Sequence, residues 1–135
     1  MTVPLWCLFI ASFLPIVCAG IGAYYRNQLP GGADNKSPRQ QAMQLEGPGA
    51  RAYAAQNNAW EALAVFTVAV VINHLAGGNP QTSALAASLF LVARVFHLFF
   101  YVKNIDMLRS LSWVVGLAAC VWLVVLGAMG SPVVG

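Results

Sequence analysis

Charge is what this chain has least of: 8% of its 135 residues are Asp, Glu, Lys or Arg, against about a quarter in ordinary soluble domains. That scarcity excludes a water-soluble globular protein. The 7 basic residues are scattered rather than gathered into a patch, so a nucleic-acid partner is not expected. Cysteine is scarce as well. Cys7, Cys18 and Cys120 lie in apolar stretches, with neither the pairwise spacing of a zinc site nor the density of a disulfide framework. They read as small core or lipid-facing residues, and no metal site is expected. Long polar stretches are missing too, with one exception between residues 26 and 49.

What the chain has in quantity is apolar sequence, 59% of its residues, with a mean hydropathy of +0.70. Four runs are each long enough to cross a hydrocarbon core of about 30 Å: Val3 to about Tyr25, about Ala50 to Leu75, about Gln81 to Val102, and about Leu111 to Met129. Lipid offers the backbone no hydrogen-bond partners, so these runs must be helices. The expected fold is an all-α bundle of four transmembrane helices, one domain over residues 1–135. Pro15 should bend the first helix. Gly31-Gly32, Ser37-Pro38 and Gly47-Pro48-Gly49 mark the one long loop, and Gly77-Gly78-Asn79-Pro80 ends the second helix in a tight turn.

Orientation follows from the basic residues. Arg26, Lys36, Arg39 and Arg51 flank the first loop and Lys103 and Arg109 the third, while the second loop and both termini carry no Lys or Arg. The positive-inside rule then places both termini on the non-cytoplasmic side and the long loop in the cytoplasm. In a bacterium this would be the inner membrane.

A few polar residues interrupt the apolar runs, and chemistry must reside in them. At 100° per residue Arg51 and Asn58 nearly superimpose on the second helix, with Glu61 within one further turn, about 15 Å along from Arg51. On the third helix Arg94, His97 and Tyr101 form one stripe among Val, Phe and Leu. A carboxylate or guanidinium at such depth is costly unless paired, so Glu61 is expected to pair with Arg94, or second with Arg109. Asn73 and His74 are expected at the membrane interface. Trp6, Phe96, Trp113 and Trp122 read as lipid-facing or packing residues. The competing reading of the polar stripes is structural, buried contacts that hold helices together.

The sequence Arg51-Ala-Tyr-Ala-Ala-Gln-Asn-Asn58-Ala-Trp-Glu61, together with Arg94-x-x-His97-x-x-x-Tyr101 followed by Arg109, resembles the family of membrane-associated proteins in eicosanoid and glutathione metabolism, which includes the microsomal glutathione transferases. The resemblance spans essentially the whole chain. It implies a homotrimer with glutathione sites shared between neighbouring subunits and open to the cytoplasm. Arg51, Asn58, Glu61, Arg94 and Tyr101 would then grip the tripeptide, Gln56, His97 and Arg26 would be further contacts, and Arg109 would stabilise the thiolate. Two carboxylates and an ammonium on glutathione suit guanidinium forks and one buried carboxylate. Ala54 and Asn57 stand where members often carry Arg, so fewer cations are on offer. The implied activity is a glutathione-dependent transferase, with peroxidase chemistry as a variant, acting on lipophilic electrophiles. Glutathione is a substrate, and the partners are the bilayer and other copies of the chain. The alternative is a non-catalytic accessory subunit of a larger membrane complex.

Overall fold

The computed structural model describes residues 1–132, so the last three residues of the expected domain, 133–135, lie outside it. The described chain is helical, with no strand: α1 Val3–Ala11, α2 Leu14–Asn27, α3 Pro38–Met43, α4 Gly47–Leu75, α5 Pro80–Val102 and α6 Asp106–Ala128. Helices α1 and α2 are two halves of one span, and α4, α5 and α6 complete a set of four.

The first span does more than bend. Pro15 has no N–H to offer the Ala11 carbonyl and its ring crowds that turn, so the helix breaks at Ser12 and Phe13 and restarts with Pro15 in its first turn. Ser12 Oγ donates to Phe9 O at 2.6 Å, which satisfies one carbonyl near the break.

Several boundaries differ from the expected ones. The long loop contains α3, and α4 starts at Gly47, with Pro48 preset for a first turn. At 29 residues α4 is about 43 Å long, more than a hydrocarbon core needs, so its first turns reach beyond the apolar layer. The fourth helix starts at Asp106 rather than Leu111, because an acidic residue in the first turn suits the positive end of the helix dipole. This shift brings Arg109 into the first turn of α6.

The turns explain how the spans reverse. Asn79 caps α5 by accepting from the backbone N–H groups of Gln81 and Thr82. Two helices end in Schellman motifs: Gly77 at φ 71° with Gly78 N–H donating to Asn73 O, and Asn104 at φ 59° with Ile105 N–H donating to Phe100 O. Asn104 is the one described non-glycine residue in that left-handed conformation, which Asn tolerates better than most.

Small residues allow the spans to approach closely. Ala52, Ala55, Ala59, Ala69, Ala86, Ala87, Ala93 and Ala119 are buried with all three cysteines, around a stacked Phe66–Phe90 pair with ring centroids 3.8 Å apart. Large apolar side chains point the other way. Trp6, Phe9, Ile16, Val68, Leu85, Val92, Phe99, Val114 and Val121 are exposed, as a protein solvated by lipid requires.

Alternation of the spans puts the end of α2 and the starts of α4 and α6 beside the end of α5. This basic end holds six of the seven Lys and Arg residues: Arg26, Lys36, Arg39, Arg51, Lys103 and Arg109. The seventh, Arg94, lies inside a span.

Candidate functional site

The two polar stripes meet along an antiparallel seam between α4 and α5. Arg51 Nε donates to the carbonyl of Val102, at the end of α5, where helix carbonyls lack intrahelical partners. Two turns further along α4, and about two turns back along α5, Arg94 Nη2 donates to Asn58 Oδ1 at 2.7 Å. Both bonds follow one register. Arg94 is 4% exposed and His97 2% exposed, and His97 packs edge-on against Tyr101 with ring centroids 5.6 Å apart. Arg109 extends from the first turn of α6 over the Tyr101 ring, its guanidinium carbon 4.8 Å from the centroid. Arg51, Asn58, Arg94, His97, Tyr101 and Arg109 are therefore brought together along one line, from the basic end down to about 12 Å inside α5.

Glu61 is one face over. Counting 100° per residue, it stands about 60° around α4 from Asn58, toward α6. A cavity of about 120 Å³ opens there between α4, α5 and α6, lined by Glu61, Ala62, Val65, Phe90, Arg94, Trp113, Gly116, Leu117 and Cys120. Gly116 keeps it open beside Arg94: a Cβ there would stand 3.4 Å from Arg94 Cδ. The expected Glu61–Arg94 pair needs correcting. The guanidinium's hydrogen bond goes to Asn58, because Asn58 and not Glu61 faces α5, and among the described residues no hydrogen bond joins Glu61 to Arg94 or Arg109. The buried cation has a neutral partner, and the carboxylate shares its cavity.

Arg26 and Gln56 are not on this seam. Arg26, in the last turn of α2, donates from Nη1 to the hydroxyl of Tyr53, from Nε to Gln41 Oε1 and from Nη2 to the carbonyl of Asp34. Tyr53 lies about 200° around α4 from Arg51, and Gln56 is within one turn of Tyr53. Gly22 makes room for the Tyr53 ring; any Cβ at that position would collide with it.

Two participants were not singled out from sequence. Tyr53 sits inside the Arg51–Glu61 motif, but its partner is on another helix; Gln41 is one polar residue among many in the loop. Asn73, two residues before the end of α4, has a partner on α6 that the sequence did not show. It is 4% exposed, with Nδ2 donating to Leu123 O at 2.9 Å. The room comes from Gly78 and Gly127, packed directly against it. Its neighbour His74 is exposed.

Four alternating spans, charged at one end and crossed by a buried Arg–Asn seam, define a polytopic membrane protein whose polar chemistry is confined to a few inter-helix contacts. The MAPEG family model matches residues 3–129, and the chain belongs to that family, whose members serve glutathione and eicosanoid metabolism in membranes. A comparison with curated proteins gave no match.

Proposed function

We propose that this protein is a glutathione-dependent transferase for lipophilic electrophiles, assembled as a homotrimer with the basic end and its long loop in the cytoplasm. One observation carries the reading: the one formally cationic and the one formally anionic side chain well inside the spans, Arg94 and Glu61, open onto the same cavity without a hydrogen bond between them. A seam built only to join helices is best served by closing such a pair, since each charge is costly alone in lipid. Left open, the guanidinium can meet a ligand carboxylate and the carboxylate a ligand ammonium, the groups glutathione carries.

Volume supports assembly. About 120 Å³ is below the roughly 300 Å³ at which ligand pockets begin, so a tripeptide needs a wall that one protomer lacks and a neighbouring copy would supply. The chemistry belongs to the mouth. Arg109 and the start of α6 both present positive charge near Tyr101, which favours thiolate over thiol. The thiol proton leaves to solvent, the thiolate forms the new carbon–sulfur bond, and the leaving group departs with its electron pair. With a hydroperoxide, two glutathiones would instead be oxidised to the disulfide as the peroxide is reduced to alcohol and water.

The non-catalytic reading draws on the Arg51–Val102 and Arg94–Asn58 bonds, both satisfied within one protomer. Calorimetry with glutathione and detergent-purified protein separates the two. Binding that weakens about thirtyfold in Arg94→Met supports the transferase; no heat of binding to the wild type overturns it.

A further inference from the structure

Gln41 and Asp34 fill the side of the Arg26 guanidinium where a carboxylate would dock. The Nε and Nη2 donors form the fork that takes a carboxylate bidentately. Here Gln41 Oε1 accepts from Nε at 3.0 Å and the Asp34 carbonyl from Nη2 at 3.4 Å. Both acceptors are neutral. The Asp34 carboxylate is turned away to accept from the backbone N–H groups of Lys36 and Ser37. Gln41 is the hub of the loop: its Oε1 also accepts from Asp34 N–H at 2.8 Å, and its Nε2 donates to the carbonyl of Gly32 at 2.9 Å. The remaining bond, from Nη1 to Tyr53 at 3.2 Å, fixes the guanidinium to α4 and does not involve the loop.

We propose that Arg26 is an anion-released latch: the 28–46 loop closes on its fork with two neutral oxygens in a carboxylate's place, and a ligand carboxylate that takes the fork frees the loop. In an Arg–carboxylate pair both partners are ionised and the two N–H···O bonds run parallel from one group, so a carboxylate that reaches the fork outcompetes the two separate neutral oxygens of Gln41 and Asp34. Arg26 is thus a positioning residue in the closed form and a ligand contact in the open one. The anion half rests on the glutathione reading above; the latch half does not.

Trypsin reads the latch directly, because Lys36 and Arg39 are exposed within the loop. With intact detergent-solubilised protein, Gln41→Ala and Arg26→Gln should each speed cleavage at these two residues about fivefold or more, while the thermal unfolding midpoint hardly moves. Tyr53→Phe should cleave close to the wild-type rate, since it leaves the fork untouched. Unchanged cleavage in Gln41→Ala overturns the latch, whatever glutathione does. Glutathione, compared with chloride at equal ionic strength, should speed cleavage of wild type and leave Arg26→Gln unaffected. Calorimetric binding without faster cleavage overturns the anion half and leaves the transferase standing. No binding at all overturns both the anion half and the transferase, and the latch is then judged on the Gln41→Ala rate alone.

Discussion

The last turns and the middle of α4 each hold polar groups within a bilayer, and they do so in opposite ways. Toward its last turn Asn73 is closed off: its amide donates to a backbone carbonyl of α6, and two glycines pack around it. Near its midpoint Asn58 is partly accessible and Glu61 exposed, and the buried Arg94 beside them faces a cavity with Asn58 as its one hydrogen-bond partner among the described residues. A polar side chain inside a membrane can therefore be a rivet or a receptor. The difference lies in whether the fold itself uses up its hydrogen-bonding capacity, and residue type alone does not show which applies.

Breaking the closed end should have the largest effect. Asn73→Leu removes a bond worth about 0.6 to 1.7 kcal/mol in membrane proteins and forces branched bulk against Gly78 and Gly127. We expect about 2 to 4 kcal/mol of destabilisation in denaturant unfolding, with unchanged glutathione affinity for the protein that remains folded. Loss of affinity without loss of stability would reverse the assignment of the two regions.

Arg94→Met should do the opposite. Removing a buried cation whose hydrogen-bond partner is the neutral Asn58 should leave stability within about 1 kcal/mol, while glutathione affinity falls by about thirtyfold in calorimetry. Severe destabilisation with affinity retained would make the seam a second rivet.

At the mouth, Arg109→Ala should slow conjugation of a hydrophobic electrophile about tenfold while glutathione still binds, and Arg109→Lys should recover part of the rate because a point charge suffices. The check is thiolate absorbance on mixing with glutathione. Equal thiolate signals in wild type and Arg109→Ala would remove the catalytic role. The smallest effect belongs to Ser83, whose buried hydroxyl has no hydrogen-bond partner among the described residues. Ser83→Ala should be neutral or stabilise by up to about 1 kcal/mol, since it deletes an unmet polar group. A clear loss of stability would show that the hydroxyl is satisfied in the membrane.

The number of spans, their helical character and the basic end follow from sequence alone, because lipid forbids unpaired backbone and each run had to reach across the bilayer. The stripes Arg51–Asn58 and Arg94–His97–Tyr101 were legible for a similar reason: helical periodicity is local, so residues that share a face can be counted off. Which stripe meets which partner is not local. A rotation of about 60° on α4 decides that Asn58 rather than Glu61 reaches Arg94, and that rotation is set by how alanines, glycines and the Phe66–Phe90 stack let three helices pack. Arg26 shows the same limit from the other side, because its guanidinium is engaged by a loop glutamine fifteen residues on and a tyrosine on the next span. Distance along the chain carried no trace of either contact. Asn73 and His74 are adjacent in sequence, yet one is sealed inside and the other exposed, since only the Asn73 position faces the gap that Gly78 and Gly127 leave.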